Sequence, residues 1–252
     1  MNILTKKTRI LRTLSKSIVR RIMRFYTHQK HPDIHTWMNM HMEISRRHMT
    51  PEMQLYLLTS RCALYNVPAS SDESVDNTWN DPYWMFYWPG GQVLSRYILD
   101  SPKMFATKRV LDVGTGCGAS AIAAAMMGAH VVANDISRDA IEATKVNAAL
   151  NNVSIDTSTK NFIGETDIDV DILFLGDMFY DQEFTNVVYD WITHLSRNGT
   201  RILIGDPGRV HLLCHPIMDK LHVLQEYEIP LEHQETGFGL TNGVVWTFSP
   251  EW

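Results

Sequence analysis

Cysteine is scarce in this chain of 252 residues, and the three present, Cys62, Cys117 and Cys214, form no CxxC pair. Neither a disulfide framework nor a cysteine zinc site is therefore expected, and a thiol-reducing compartment fits best. Long apolar runs are absent too. Nothing approaches the ~18 consecutive apolar residues of a membrane-spanning helix, so a soluble protein without a membrane span is expected. Internal repeats and low-complexity linkers are missing, which argues against solenoids and tethered arrays. With 44% hydrophobic and 20% charged residues the chain has the makeup of a globular protein and not of a disordered one. Its length accommodates one main domain plus an extension.

Acids are absent from residues 1–32, which hold Lys6, Lys7, Arg9, Arg12, Lys16, Arg20, Arg21, Arg24 and Lys30. These are nine of the 23 basic residues, so residues 33–252 carry 14 bases against all 28 acids, a net charge of −14. The basic segment has Ser and Thr interspersed and apolar residues from Ile3 to Phe25 at near-helical intervals. That is the composition of a mitochondrial presequence, with a basic solvated arm or nucleic-acid-binding tail as the alternative. The acidic remainder argues against a nucleic-acid partner, because Lys and Arg on phosphate dominate such binding. A basic partner suits it better.

Residues 33–107 read as an N-terminal extension. Thr50-Pro51-Glu52 has the signals of a helix start, which predicts a helix from Pro51 to about Thr59. A loop is expected over 66–82, followed by the aromatic block YWMFYWPGGQ at 83–92 and a helix from Gln92 to Leu99. The Pro-Gly-Gly break after so many aromatics suggests a lid or wall over a ligand.

From residue 108 to 252 strand and helix alternate. Val110–Val113 and Val131–Ala133 read as strands, each followed by a helix: Ala119–Met127, and a second capped by Ser137 and running to about Leu150. Asp171–Leu175 and Arg201–Gly205 supply two more buried strands around a helix near Glu183–Leu195. Segments 222–229 and 243–248 suggest a hairpin at one sheet edge. Such alternation predicts an α/β, Rossmann-like sheet with helices on both faces and ligands beyond the carboxyl ends of the strands.

The first strand runs into Asp112-Val113-Gly114-Thr115-Gly116-Cys117-Gly118. Glycines at 114, 116 and 118 let the backbone turn tightly and approach a nucleotide. The loop is GxGxG, not the dinucleotide GxGxxG, and Asp112 beside it would repel a pyrophosphate. A carboxylate there favours a ligand bearing an ammonium and a sulfonium, as in S-adenosylmethionine. Asp135, 21 residues after Gly114 at the end of the second strand, is placed to bind ribose hydroxyls. Cys117 has no neighbouring base and reads as a small loop residue.

After DILFL comes Gly176-Asp177-Met178-Phe179-Tyr180-Asp181, at a strand end where an acceptor would meet the donor. Asp177 could hold an amine by a charge-assisted hydrogen bond, and Phe179 or Tyr180 could bound its channel and attract the cation. Alternatively, Asp177 caps the next helix and the aromatics are core. His211, Cys214 and His215, like His31 and His35, have metal-like spacing but lack further ligands, and no metal is expected.

The runs TPE at 50–52, DPYWMFYWPGGQVLSRYILD at 81–100, VLDVGTGCGASAIAA at 110–124, ANDI at 133–136, LGDMFYD at 175–181 and RILIGDPGR at 201–209 carry a resemblance. The chain resembles the seven-β-strand protein-lysine methyltransferases, in particular those acting on the electron transfer flavoprotein β subunit. The resemblance implies a seven-stranded class I methyltransferase sheet. It implies S-adenosyl-L-methionine held by Trp88, Gly114 and Asp135, beside Asp112, Gly116 and Gly118, and catalysis and substrate engagement through Asp177 and Tyr180. It further implies a mitochondrial matrix enzyme that methylates lysines of the flavoprotein β subunit and moderates its electron transfer with dehydrogenases. A monomer is expected. A methyltransferase for another protein or a small-molecule amine, and a non-catalytic donor-binding regulator, remain alternatives.

Overall fold

The alternation of strand and helix closes into one sheet in a computed structural model that describes residues 33–66, 83–230 and 240–249. The basic segment 1–32 and most of the expected loop 66–82 lie outside the described residues. In chain order the elements are α1 (Ile34–His41), β1 (Glu43–Ser45), β2 (Leu55–Leu57), α2 (Pro89–Asp100), α3 (Pro102–Phe105), β3 (Arg109–Val113) and α4 (Ala119–Met126). There follow β4 (His130–Asn134), α5 (Arg138–Leu150), β5 (Asp156–Ser158), β6 (Ile172–Gly176), α6 (Gln182–Arg197), β7 (Arg201–Asp206), α7 (Val210–Leu213), β8 (Leu221–Glu228) and β9 (Asn242–Phe248).

Seven strands pair in the order β5-β4-β3-β6-β7-β9-β8. The first five are parallel, and β9 runs antiparallel to both its neighbours. The expected edge hairpin is thus β8 and β9. Period-two alternation divides the core: Val110, Ile172, Phe174 and Leu203 pack on one face with Leu94 of α2 and Ala121 of α4. Leu111, Leu173, Leu175, Ile202 and Ile204 pack on the other with Val188, Trp191 and Ile192 of α6. Because the chain leaves β3 toward β4 and returns on its other side at β6, the strand order reverses between β3 and β6. The crevice beyond these two strand ends is where such sheets bind ligands.

The expected helix at 51–59 does not form. Thr50 places its hydroxyl 3.0 Å from His48 Nδ1 and 3.1 Å from the Tyr87 hydroxyl instead of capping a helix. The chain turns there, and β2 pairs antiparallel with β1. Tyr56 N–H donates to Asn147 Oδ1 of α5 and Gln54 N–H to Oδ1 of Asn151, the residue just past that helix, each at 2.8 Å, so the free edge of β2 and the residue before it are satisfied from α5 and its end. Tertiary partners override the local helix signal.

The aromatic block also differs from a lid. Trp84, Phe86 and Tyr87 are buried, Tyr83 is exposed and Trp88 is half-buried. Pro89, Gly90 and Gly91 form the first turn of α2, where proline's missing N–H leaves no bond unmade. A Cβ on Gly90 would strike the Gly205 carbonyl and stand 2.6 Å from Asp177 Oδ2, while one on Gly205 would strike the Gly90 carbonyl and stand 2.8 Å from Leu94 Cβ. The helix start therefore rests directly on the ends of β6 and β7. We expect Gly205→Ala to lower stability by about 1–3 kcal/mol through overpacking. Gly91→Ala, whose Cβ would meet only the Tyr87 ring at 3.6 Å, should cost far less. Denaturant melts of the two variants provide the comparison.

Candidate active site

The loop after β3 forms one wall of the crevice. Gly114, Gly116 and Gly118 all have positive φ, at 70°, 56° and 85°. Their surroundings differ. A Cβ on Gly114 would strike Met178, and one on Gly118 would come within 2.8 Å of Thr144 Cγ2 on α5, so these two permit packing. At Gly116 it would meet nothing closer than 3.8 Å, which leaves the backbone open to a ligand. Thr144 Oγ1 donates to the Gly116 carbonyl at 3.1 Å and Asn147 Nδ2 to that of Cys117 at 2.8 Å, fixing the loop from behind.

Asp135 follows β4. Its Oδ2 accepts the Gly116 N–H at 3.2 Å and its Oδ1 the Ser137 N–H at 2.9 Å. Two of roughly four lone-pair positions are thus taken, and the others suit a vicinal diol. Burial raises its pKa, opposed by these two amides. Ser137 also caps α5, accepting from Ala140 N–H, as the sequence predicts.

Asp112 lies deeper. It is buried, and its Oδ2 accepts the Thr115 hydroxyl at 2.6 Å. Burial pushes its pKa up from 3.8 to about 6, against the hydrogen bonds from Thr115 and the Ala121 amide, with the charge of Asp135 adding to the rise. The geometry gives Asp112 the work of shaping the loop. Because the folded state holds this proton more tightly than the unfolded chain, stability falls as pH rises from about 4 to about 6. Asp112→Asn should flatten that part of the profile in urea melts taken across the same range. Burial also pushes the Cys117 thiol up to about 12, which leaves no thiolate nucleophile in the loop.

Asp177 stands just beyond β6, in a left-handed backbone conformation with φ of 56°. Its Oδ2 accepts the N–H groups of Gly90 and Gly91, and its Oδ1 accepts Nε of Arg209 at 3.1 Å and Nη2 at 2.6 Å. Burial disfavours the Arg209 cation, but the charges of Asp177 and Asp206 outweigh it and raise the pKa further. Its Cζ stands 5.9 Å from the Trp88 ring centroid. Trp88 in turn donates its indole N–H to the Tyr83 carbonyl at 2.9 Å. Asp206 is fully buried at the end of β7, with Oδ1 accepting the N–H groups of Gly208 and Arg209.

Tyr180 is exposed and stacks on Phe184 with centroids 5.2 Å apart. Partial burial and then the charges of Asp135 and Asp181 raise its pKa, so it is a neutral phenol within electrostatic reach of Asp135. Phe179 does not line this crevice. It is wholly buried against Leu173, Val188 and other core residues, because the turn after Asp177 sends it beneath the sheet end while Tyr180 points outward. Asp181, not Asp177, caps α6, accepting from Phe184 N–H at 3.0 Å. Gly116, Asp135 and Tyr180 thus gather on one side of the strand-end edge and Asp177, Arg209 and Trp88 on the β6–β7 side, while Phe179 is core. Arg209 and Asp206 sit in a run already noted for its resemblance, yet no spacing in the sequence pairs either with Asp177.

His215 is engaged otherwise, with Nδ1 accepting from Ile217 N–H and Nε2 3.0 Å from Asn186 Oδ1. Among the described residues no group of three or more His, Cys, Asp or Glu could hold a metal ion, and no helix is long and apolar enough to cross a membrane.

Residues 93–202 match the family of the ribosomal protein L11 methyltransferase (PrmA). The Xenopus laevis electron transfer flavoprotein beta subunit lysine methyltransferase is 43% identical over 83% of this chain and 85% of that relative. The Homo sapiens protein of the same name is 40% identical over 87% of this chain and 83% of its own length. The chain belongs to this family of lysine methyltransferases. A solved ribosomal protein L11 methylase from Lactobacillus delbrueckii subsp. bulgaricus is 21% identical over 62% of this chain and 77% of that one, with a TM-score of 0.44. As a member of the flavoprotein β-subunit lysine methyltransferases, the protein is an enzyme that uses S-adenosylmethionine. The crevice fits that donor: Gly116 leaves room at the loop, and Asp135 keeps lone pairs for a ribose.

Proposed function

We propose that the protein transfers methyl groups from S-adenosylmethionine to lysine amines of the electron transfer flavoprotein β subunit, the substrate for which its relatives are named. The observation that carries this reading is that two carboxylates follow the carboxyl ends of the strands flanking β3 in one sheet: Asp135 after β4, with lone pairs to spare beside the glycine loop, and Asp177 after β6, three residues before Tyr180. Gly116 and Asp135 hold the donor, Gly114, Gly118 and Asp112 shape and pack the loop, and Trp88 forms the neighbouring wall.

The donor supplies a methyl group on a sulfonium, which is already a good leaving group. The chain's own residues then have to position and desolvate the acceptor. Asp177 attracts the arriving ammonium. Tyr180 offers its ring face to that cation at the rim. The amine must pass one proton to solvent water before its lone pair can attack, and the proximity of Asp177 helps select the lysine without acting as a strong base. Methyl-lysine keeps its charge while losing donors, so the modification moderates the flavoprotein's contacts with dehydrogenases and does not abolish them.

The acid-free basic composition of residues 1–32 supports residence in the mitochondrial matrix after removal of a presequence. The net charge of −14 over residues 33–252 supports a basic protein partner over nucleic acid, and the protein is proposed to act as a monomer. The match to the ribosomal protein L11 methyltransferase family favours one second reading, with L11 as acceptor. Transfer of labelled methyl to unmethylated flavoprotein β subunit and to L11, side by side, separates the two. Labelling of the β subunit is expected, and labelling of L11 alone would reverse the assignment.

A further inference from the structure

Asp177 is full. Its two oxygens already accept four hydrogen bonds, two from the Gly90 and Gly91 amides and two from the Arg209 guanidinium, which matches the roughly four lone-pair positions of a carboxylate. The amides belong to the first turn of α2, pressed onto β6 and β7, and cannot leave without undoing that packing. Arg209 is a side chain on a short loop. If Asp177 is to hold an acceptor amine, Arg209 has to make way.

A second place for it exists. Asp206 is wholly buried, and its Oδ2 accepts no hydrogen bond among the described residues, although it stands only 3.9 Å from Arg209 Nε. An orphaned buried acceptor is costly, and a hydrogen bond from Arg209 would relieve it. The approach needed is on the order of 1 Å, given ordinary N–H···O distances. Charge points the same way. Two carboxyl groups share one guanidinium, and burial and the charge of Asp177 push Asp206 up to about 7, so a bound proton stands in for the missing cation and is released when a second cation enters. Entry of a lysine ammonium makes two pairs from these four groups.

We propose that Arg209 is a positioning residue that rests on Asp177 without acceptor and passes to Asp206 Oδ2 as the lysine amine takes its place on Asp177 Oδ1. This rests on the reading that Asp177 receives the acceptor. The site then takes a cation in exchange for a cation and discriminates against neutral or acidic side chains. Trp88, beneath the guanidinium, keeps a ring face available to Arg209 during the exchange.

The test is a double-mutant cycle in steady-state kinetics with unmethylated flavoprotein β subunit as acceptor, using the full chain, Asp206→Asn, Arg209→Met and the double variant. In Asp206→Asn the carboxamide oxygen keeps the Gly208 and Arg209 amides, which puts the NH2 group where Oδ2 was. A donor then faces a donor, and Arg209 stays on Asp177. Asp206→Asn should therefore raise the acceptor KM about tenfold, with a smaller change in kcat and an unchanged Kd for S-adenosylmethionine. In the Arg209→Met background the same change should have no effect on KM, since no guanidinium remains to be rehoused. An equal rise in both backgrounds, or no rise in either, overturns the exchange. Should Arg209→Met melt below the assay temperature, Arg209→Lys replaces it, and the Asp206→Asn effect on KM must then be smaller than in the wild type. A wild-type enzyme that labels no lysine overturns the underlying reading as well, whereas an active wild type with additive effects overturns the exchange alone.

Discussion

Asp177→Ala is expected to abolish methyl transfer and to lower stability by about 1–3 kcal/mol, the usual penalty for leaving buried donors without their acceptor. From the residue's position at a strand end alone, the simple expectation is loss of transfer with donor binding kept. The structure adds the stability cost. The carboxylate ties Arg209 to the first turn of α2, so its removal leaves the Gly90 and Gly91 amides without their acceptor, while Arg209 still has Asp206 at hand. Donor binding should persist at temperatures where the variant is still folded, because Asp135 is held by Gly116 and Ser137 and shares no hydrogen-bond partner with Asp177. Thermal melts, calorimetric titration with S-adenosylmethionine and methyl-transfer assays together read all three effects. Full activity with an unchanged melt would remove Asp177 from both roles.

Asp135→Ala should have the complementary result: a fold that survives and a donor that binds roughly 10- to 100-fold more weakly. The range follows from losing about 1.5–3 kcal/mol of charge-assisted hydrogen bonding. Its two internal partners are the backbone amides of Gly116 and Ser137, both near solvent at the crevice, so water can replace the lost carboxylate there. Asp135→Asn, with one acceptor oxygen retained, should fall between. Unchanged affinity by calorimetry would exclude the ribose role. The contrast between the two aspartates is one of saturation: Asp135 has lone pairs to spare, and Asp177 has none until Arg209 moves.

The sheet was legible wherever strands were buried on both faces, because runs such as Ile172–Leu175 and Arg201–Gly205 leave little choice of element. β5 was not, since Asp156-Thr157-Ser158 is three polar residues at a sheet edge and carries no apolar signal. The cue at Thr50-Pro51-Glu52 is locally sound, but His48 and Tyr87 recruit the Thr50 hydroxyl, and Tyr87 lies 37 residues away in the chain. Gly114, Gly116, Gly118 and Asp135 could be read together because one strand-turn-helix unit and the next strand end fix their separation. Arg209 could not be paired with Asp177, 32 positions earlier, until β6 and β7 were laid side by side. Phe179 and Tyr180 are neighbours of similar chemistry, and only the turn after β6 decides that the first is core and the second faces the crevice.

The most direct test of the account is intact-mass spectrometry of unmethylated flavoprotein β subunit after incubation with S-adenosylmethionine and this enzyme, followed by peptide mapping. Asp135→Ala at limiting donor serves as the control. Stepwise additions of single methyl groups, mapped to lysine and much reduced in the control, are the predicted result. Additions at another residue type, or an unmodified β subunit under conditions where the donor is bound, would contradict it.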